Sequence, residues 1–346
     1  MTNFAQRLIT WQRTHGRHDL PWQANRDPYR IWVAEIMLQQ TQVATVIPYY
    51  QRFMARFPDV ASLAAASAEA MIESWSGLGY YARARNLHRA AHQVMAEYGG
   101  QFPTRADDLI TLPGIGRSTA AAIAAFASGE RKAILDGNVK RVLCRAFGIE
   151  GFPGERAVET RLWALAESLL PADAQEIGVY IQSQMDLGAT VCTRSRPACS
   201  QCPLSNDCVA HLSGRSAELP TPRPAKTVPR RHARFAVVTA GKTVLLERRP
   251  PSGIWGGLLA LPEIPPQTPL DQWLLTHLGT QDAHIQPLPP LTHTFTHFVL
   301  DIAPWHIELP APPHAIAEAA QCWLAFDQLD SAALPTPVRK ILQGMS

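Results

Sequence analysis

The chain has 346 residues, a formal net charge of +3 and 46% hydrophobic residues. This length is sufficient for two domains with separate cores. Because the charge is nearly balanced, affinity for a nucleic acid would have to come from local clusters of basic residues. The sequence has no apolar run of about 18 residues, and residues 1–11 lack the features of a signal peptide. We therefore expect a cytoplasmic, unexported protein outside the membrane.

The first half of the chain shows helical periodicity almost throughout. Phe4, Leu8 and Trp11 recur at helical spacing, and Asp27-Pro28 is a typical helix start that precedes residues 31–38. Further helices are predicted at 43–54, 67–75, 80–98, 117–128, 138–147, 156–170 and 174–187. This pattern predicts an all-α domain, which we assign to residues 1–212.

A glycine turn formed by Pro113, Gly114 and Gly116 precedes an Ala-rich helix. The bare backbone N–H groups of such a helix start favour an anion, such as a DNA phosphate. Further along the chain, Asp136 stands in the turn Asp-Gly-Asn. A phosphate-binding turn followed by a lone carboxylate predicts an enzyme that acts on nucleic acid. Taken alone, the glycine turn would fit an ordinary helix-turn-helix connection equally well.

Glu35 is the one polar residue in the apolar run 31–38. A helix that is apolar on all sides is buried, so we expect Glu35 to lie outside bulk water; the alternative is a solvated charge. Farther along, Arg83, Arg85 and Arg89 lie on one predicted helix. This arrangement favours a solvated helix face, with a DNA contact as the alternative.

Four of the six cysteines lie close together in the sequence. They are Cys192, Cys199, Cys202 and Cys208. This grouping indicates a metal site in a reducing compartment rather than a set of disulfides. Only one pair is closely spaced, which favours a 4Fe-4S cluster over zinc, whose structural sites usually pair their ligands twice. Cys144 and Cys322 are expected to be small core residues.

Residues 213–231 are rich in proline and arginine and predict a stiff, basic linker that includes Lys226. Beyond it the pattern becomes alternating. Residues 235–239 and 243–247 predict a β-hairpin, 295–302 a strand and 337–342 a closing helix. Residues 232–346 are therefore expected to form a loop-rich α+β domain.

Six motifs distributed along the chain carry a resemblance to a known family. They are WVAEIMLQQTQ (32–42), GLGYYARARNL (77–87), the hairpin at 112–123, LDGNVKRV (135–142), the cysteine loop at 192–208 and HTFTH (293–297). The chain resembles the helix-hairpin-helix DNA glycosylases with an iron–sulfur cluster and, among them, the adenine DNA glycosylases of the MutY type.

The resemblance implies an all-α helix-hairpin-helix domain holding one 4Fe-4S cluster, followed by a Nudix-like domain that reads the lesion. The implied reaction is excision of adenine mispaired with 8-oxoguanine or guanine in double-stranded DNA. We expect a monomer, associated with the nucleoid if the protein is bacterial.

Two carboxyl groups fit this chemistry. A glycosylase must first flip the nucleotide out of the duplex. One carboxyl group should then protonate the leaving base, while a second, ionised one stabilises the cationic sugar. Glu35, in its apolar helix, fits the acid, and Asp136, in its polar turn, fits the charged partner, acting electrostatically or covalently. Asn138 would orient the sugar region or cap its helix.

Ser118 stands where the related endonuclease III branch carries the lysine that attacks the sugar. The resemblance therefore implies a monofunctional enzyme that leaves an abasic site, with Lys140 as a minor alternative amine. The main rival hypothesis is a bifunctional, endonuclease III-like glycosylase/lyase for oxidised pyrimidines. A second is a catalytically inactive DNA-binding scaffold, which the presence of both Glu35 and Asp136 disfavours.

Other contacts are implied position by position. The residues expected to wedge into the base stack beside the lesion are Gln40, Thr41, Leu78 and Tyr80. The rim of the adenine pocket is expected at Trp22 and Gln23, with core packing as the alternative for Trp22. The strand-gripping turn is expected at Gly114 and Gly116.

In the second domain, the loop expected to contact 8-oxoguanine comprises Phe295, Thr296 and His297. Thr296 stands where the family commonly has serine. No Arg-Glu-x-x-Glu-Glu run follows Gly257, so the carboxylates of a Nudix hydrolase are missing and lesion reading is the expected role.

Overall fold

The structure is a computed structural model that describes residues 3–224, 227–250, 253–312, 320–330 and 332–345. Lys226 of the predicted linker lies outside these ranges. The chain divides into two compact units, Met1–Ala66 with Arg85–Ala225, and Ser67–Ala84 with Lys226–Ser346. Within the described ranges, no helix is long and apolar enough to cross a membrane.

Helices run from Phe4 to Leu212, in agreement with the all-α character predicted for residues 1–212. The helices are α1 Phe4–His15, α2 Pro28–Leu38, α3 Val43–Arg56, α4 Val60–Ala65, α5 Ala68–Ser74, α6 Ala82–Tyr98, α7 Ala106–Leu109, α8 Arg117–Ser128, α9 Gly137–Phe147, α10 Arg156–Ser168, α11 Ile177–Asp186 and α12 Val209–Leu212. Short 3-10 turns form at Pro21–Gln23, Ala174–Glu176, Cys199–Gln201 and Ser205–Asp207, and a π-helical turn at Leu187–Val191.

Side-chain caps fix several of these helix starts. Asp27 accepts a hydrogen bond from the backbone N–H of Tyr29 (3.0 Å) at the start of α2. Ser67 accepts one from Ala70 (3.1 Å) at the start of α5. Each cap satisfies a donor that the first helical turn leaves without a partner. The sequence prediction of these starts is confirmed.

The helical core forms where α1 packs against α11 and α2 packs against α8. Phe4, Leu8 and Trp11 of α1 are buried, as their spacing predicted. Cys144 is fully buried in the same core, which confirms its expected role, whereas Cys322 is only half-buried at the edge of the second unit's core.

The predicted linker is shorter in the structure than in the sequence interpretation. Leu219 is buried, its carbonyl accepts a hydrogen bond from Arg145 (2.8 Å), and Thr221 accepts one from the N–H of Gly151 (3.1 Å). The first part of 213–231 therefore packs on the helical unit, because it supplies an apolar side chain and needed acceptors. At the other end, Arg230 and Arg231 already belong to a strand.

Residues 227–345 form an α+β arrangement around a mixed sheet. Its strands are β1 Arg230–Ala240, β2 Thr243–Arg248, β3 Leu259–Ala260, β4 Glu263–Ile264, β5 His284–Pro287, β6 Leu291–Thr294, β7 Val299–Leu309 and β8 Gln321–Ala325. Its helices are α13 Leu270–Leu278 and α14 Thr336–Gln343. The order is β3-β2-β1-β7-β5, with β4 on β1, β6 on β7 and β8 on β2.

Alternation along β1 separates two apolar cores. Phe235 and Val237 join the core that includes Leu342 of α14, whereas Ala236 and Val238 join the core that includes α13. This period of two is what a sheet covered on both faces requires. β1 pairs antiparallel with β2, which confirms the hairpin, and parallel with β7.

The strand predicted at 295–302 is wrong in its first half. β7 begins at Val299, and residues 295–298 form a turn in which the N–H of Phe295 donates to the carbonyl of Phe298 (2.9 Å). The aromatic rings stack within this turn, so the apolar character of the run reflects local packing rather than an extended strand.

Candidate active site

A cavity of about 920 Å³ opens in the helical unit. Its walls include Trp22 and Gln23 from the 3-10 turn, Glu35 from α2 and Gln182 from α11. The structure thus brings together three residues that the sequence predicted for the site. The sequence interpretation did not identify Gln182, which is one of several polar residues in an amphipathic helix and has no local motif.

Glu35 lines this cavity and is otherwise enclosed by the buried residues of α2. Burial raises the pKa of Glu35 to about 7, and the negative charge of Asp136 contributes in the same direction. Both effects favour the neutral carboxylic acid. Glu35 can therefore hold a proton near neutral pH and deliver it into the cavity.

Asp136 caps α9 and accepts a hydrogen bond from the N–H of Val139 (2.7 Å). Burial raises its pKa above the ordinary value, whereas the N–H groups of Val139 and Asn138 and the charges of Arg141 and Lys140 act to lower it. The expectation that a polar turn simply keeps Asp136 charged needs correction, because the turn is desolvated. The two carboxyl groups still differ, since the groups that stabilise a negative charge surround Asp136.

Ser118 has a structural partner that the sequence did not indicate. Its Oγ accepts a hydrogen bond from the N–H of Leu135 (2.9 Å), which ties α8 to the residue before Asp136. Lys140, the alternative amine, forms an ion pair with Glu159 (Nζ to Oε1, 2.5 Å). Its ammonium group is therefore directed toward α10 by a partner of opposite charge.

Arg141 links several parts of the site and was missed by the sequence interpretation. Its guanidinium donates to Asn138 Oδ1 (2.7 Å), to the carbonyl of Gly188 (2.6 Å) and to the carbonyl of Cys192 (2.7 Å). Asn138 also lies against Gly188, where an added Cβ would come within 2.5 Å of Asn138 Cβ. Asn138 is held from two sides beside Asp136.

The hairpin glycines differ in what they require. Gly114 has φ +83°, and a Cβ there would lie 2.8 Å from Cβ of Asn86, so only glycine fits without a shift. Gly116 has an ordinary φ of −89° at the start of α8, and the space that a Cβ would occupy there is open. The turn therefore brings bare backbone to the surface before α8.

Two of the predicted wedge residues have unusual backbone conformations. Gln40 has φ +58° and Tyr80 has φ +51°, and both side chains are exposed. Left-handed backbone at non-glycine residues is costly and is typical of functional loops. Thr41 is half-buried, whereas Leu78 is only 5% exposed and packs inward.

Arg83 is buried, contrary to the expected solvated helix face. Its guanidinium lies 5.4 Å from the ring centroid of Trp75 and 5.3 Å from that of Tyr80. It also donates to the carbonyls of Leu78 (3.5 Å) and Gly79 (3.1 Å). Arg83 braces the Gly-Leu-Gly-Tyr loop from within, because carbonyls and aromatic faces replace its lost hydration.

In the second unit, the predicted lesion-reading loop is a compact aromatic turn. The rings of Phe295 and Phe298 stack with centroids 4.4 Å apart, and the guanidinium of Arg231 lies 4.7 Å from the Phe298 ring. Thr296 and His297 are exposed at its tip. The turn thus presents one hydroxyl and one imidazole on a rigid aromatic base.

The four cysteines that are close in the sequence, Cys192, Cys199, Cys202 and Cys208, are free thiols. Burial raises the pKa of Cys202 to about 11, and the charges of the other three thiols act in the same direction. Buried Arg145 donates to the carbonyls of Thr193 (2.7 Å) and Arg194 (2.9 Å) and reaches Cys192 Sγ (3.4 Å). Thiolate sulfur is the donor that an iron–sulfur cluster binds, and the Arg145 guanidinium beside Cys192 Sγ would balance the negative charge of a thiolate. Among the described residues, no group of three or more His, Cys, Asp or Glu side chains is arranged so that it could hold a metal ion.

Comparison with known proteins defines the class. Residues 33–168 match the HhH-GPD superfamily of base excision DNA repair proteins, and residues 233–344 match the NUDIX domain. A solved thermostable thymine-DNA glycosylase is similar, with 30% identity, a TM-score of 0.55 and coverage of 61% of this chain and 95% of its own. An endonuclease III–DNA complex shares the fold, with 22% identity, a TM-score of 0.51 and coverage of 60% and 94%. The fold and the site define a DNA glycosylase of this superfamily.

Full-length relatives define the family. Adenine DNA glycosylase of Buchnera aphidicola subsp. Acyrthosiphon pisum is 36% identical over 99% of this chain and 97% of its own. The mouse enzyme of the same name is also 36% identical, over 99% and 78%, and the human one is 35% identical, over 99% and 74%. The chain belongs to the adenine DNA glycosylases. It is therefore a base excision repair enzyme and a hydrolase of N-glycosyl bonds, as the sequence predicted.

Proposed function

We propose that this enzyme excises adenine mispaired with 8-oxoguanine or guanine in double-stranded DNA and leaves an abasic site. The observation that carries the proposal is the pairing of Glu35 with Asp136. One carboxyl group, at the cavity, holds its proton to a pH of about 7, and the other lies close enough to influence it. This is the asymmetry that acid-assisted cleavage of a glycosidic bond needs.

In the proposed reaction, the flipped adenine enters the cavity and Glu35 protonates it as the bond to the sugar breaks. The base leaves as a neutral molecule, and the positive charge that develops on the sugar faces Asp136. Water then completes the hydrolysis. Asn138, fixed by Arg141, lies next to Asp136 and is suited to orient the sugar.

The reaction is proposed to be monofunctional. Lyase chemistry requires an amine that attacks the sugar. Ser118 uses its Oγ to accept the Leu135 N–H, and Lys140 is ion-paired with Glu159. Both features favour hydrolysis over strand cleavage.

We propose that Gly114, Gly116, Gln40, Thr41 and Tyr80 contact DNA, whereas the buried Leu78 supports the loop that carries Tyr80. The exposed, left-handed Gln40 and Tyr80 support a role inside the base stack. Gln23 has a different role, because its amide supports the turn in which it lies. Its Nε2 donates to the carbonyl of Arg17, and its Oε1 accepts from the N–H of Leu20 (both 3.1 Å). Trp22 combines both expected roles, since it lines the cavity and packs edge-on against Tyr50.

We further propose that the turn carrying Phe295, Thr296 and His297 reads the base opposite adenine. Exposed donors on an aromatic base can distinguish 8-oxoguanine from guanine by hydrogen bonding and stacking. Because the proposed substrate is double-stranded DNA, the enzyme would act where chromosomal DNA is found.

A single 4Fe-4S cluster is the proposed occupant of the thiols of Cys192, Cys199, Cys202 and Cys208. When bound, it would supply a structural crosslink for the loop rather than chemistry on the base. The chain's own contribution is to hold this loop, through Arg145 and through the contact of Arg141 with the Cys192 carbonyl. A protein purified without oxygen should absorb near 400 nm, and a colourless protein would contradict the assignment.

The test of the proposed function is an adenine-release assay on duplexes containing A:8-oxoguanine, A:G and A:T. The wild type should release adenine from the first two. Asp136→Asn should abolish release while retaining duplex binding, and full activity in that variant would exclude the mechanism. A strong borohydride-trapped adduct on DNA with an oxidised pyrimidine would instead support the bifunctional alternative.

A further inference from the structure

Asp186, at the end of α11, is a charged residue buried in the helical unit. Its side chain is 1% exposed. It does not line the cavity, and the mechanism above gives it no role. A buried carboxylate carries a large desolvation cost, so its partners show which parts of the structure it holds.

The first partner is Arg17, in the segment that leads from α1 to the wall of the cavity. The Arg17 guanidinium donates to Asp186 Oδ1 through Nε (2.7 Å) and Nη2 (2.6 Å). The backbone N–H of Arg17 donates to Oδ2 (2.9 Å). Asp186 thus grips both the side chain and the backbone of one residue, which fixes the position of the chain at that point.

A series of hydrogen bonds continues from Arg17 to the cavity wall. The Arg17 carbonyl accepts a hydrogen bond from Gln23 Nε2 (3.1 Å), and Gln23 Oε1 accepts one from the N–H of Leu20 (3.1 Å). These bonds close the turn that carries Trp22, one of the residues lining the cavity. The position of this wall therefore depends on the Asp186 carboxylate of α11.

The second partner is Gln182, one helical turn before Asp186. Its Nε2 donates to Asp186 Oδ1 (2.9 Å), and its side chain lines the cavity. One N–H of the amide bonds to Asp186, which fixes the orientation of the amide and leaves its second N–H and Oε1 for a bound base. Asp186 therefore controls a second wall of the same cavity.

We propose that Asp186 is a positioning residue for base excision, which holds the Trp22 wall through Arg17 and the Gln182 amide directly. The proposal rests on the proposed function for its catalytic consequence. A cavity whose two walls share one anchor keeps the flipped base aligned with Glu35, and loss of alignment slows the chemical step more than it weakens DNA binding.

The test is Asp186→Asn, which keeps the side-chain shape and removes the charge. Single-turnover adenine release should slow by about tenfold or more, while the dissociation constant for the duplex stays within about threefold. Amide hydrogen exchange should rise over residues 17–23 and remain unchanged in α9. Arg17→Lys keeps the charge and the backbone bond but loses the fork, so it should show a smaller effect in the same direction.

The matched control is Asp107→Asn, which removes a carboxylate from an exposed ion pair with Lys132. It should leave release and exchange unchanged. The proposal is overturned if Asp186→Asn releases adenine at the wild-type rate. It is also overturned if release is slower only because a smaller fraction of the variant is folded. It is also overturned if exchange over 17–23 does not rise. If the wild type releases no adenine, the proposed function fails, while hydrogen exchange still decides whether Asp186 anchors the wall.

Discussion

The free energy of unfolding of Glu35→Gln, relative to that of wild type, should increase as the pH rises. The substitution keeps the size of the side chain and removes the titrating proton. In the folded protein the pKa of Glu35 is about 7, against an ordinary value of 4.5, because burial and the charge of Asp136 both disfavour its ionised form. The unfolded chain, in which Glu35 is solvated, lacks both effects.

The sign follows from proton binding. Between a pH of about 4.5 and about 7, folded Glu35 holds a proton that the unfolded chain has released, so wild-type stability falls as pH rises. The window is about 2.5 pH units wide, and each unit corresponds to about 1.4 kcal/mol, which gives about 3 kcal/mol at most. The free energy of unfolding of Glu35→Gln, relative to wild type, should therefore increase by about this amount from pH 4 to pH 8.

Urea unfolding followed by the helical circular dichroism signal, repeated across this pH range, measures the difference. Glu97→Gln, at an exposed position on α6, is the control for replacing a carboxylate with an amide. A difference for Glu35→Gln that does not vary with pH would refute the inference that Glu35 is desolvated in the folded protein. The acid role assigned to Glu35 would then lose its physical basis.

Three further substitutions test the neighbourhood of Asp136 and the hairpin. Ser118→Ala removes the acceptor of the Leu135 N–H and should slow single-turnover adenine release by about tenfold with duplex affinity unchanged. The reason is that the hydrogen bond that positions Leu135 beside Asp136 contributes about 1–2 kcal/mol. An unchanged rate would show that the hydroxyl is dispensable. Gly114→Ala must shift Asn86 and strain the backbone, so it should lower stability by about 1–3 kcal/mol in thermal unfolding. Gly116→Ala, with open space around it, should unfold like wild type, and equal losses in both variants would contradict the steric argument.

Local signals account for most of what the sequence predicted. The start of α2 is set by Asp27 and Pro28, and the burial of α2 by an apolar run that only Glu35 interrupts. The alternating residues of β1 likewise match its two buried faces. In each case the determining interaction lies within a few residues, so sequence spacing carries it.

Long-range partners explain what the sequence did not predict. Nothing near Arg141 in the sequence shows that it bonds to the backbone at Gly188 and Cys192. The partners of Arg83 lie within eight residues of it, but the burial of its guanidinium depends on how this loop folds. Desolvation of Asp136 likewise depends on the elements packed around its turn. Helix α13 was missed because Pro265, Pro266 and Pro269 precede it and resemble a loop.

The buried Arg83 has a consequence for the energetics of association. The backbone at Tyr80 is already in its left-handed conformation, and the bonds from Arg83 to the carbonyls of Leu78 and Gly79 hold the loop in that shape. A partner that meets the exposed Tyr80 ring therefore does not have to order the loop on arrival. The conformational entropy has been lost during folding, so more of the contact energy remains as affinity.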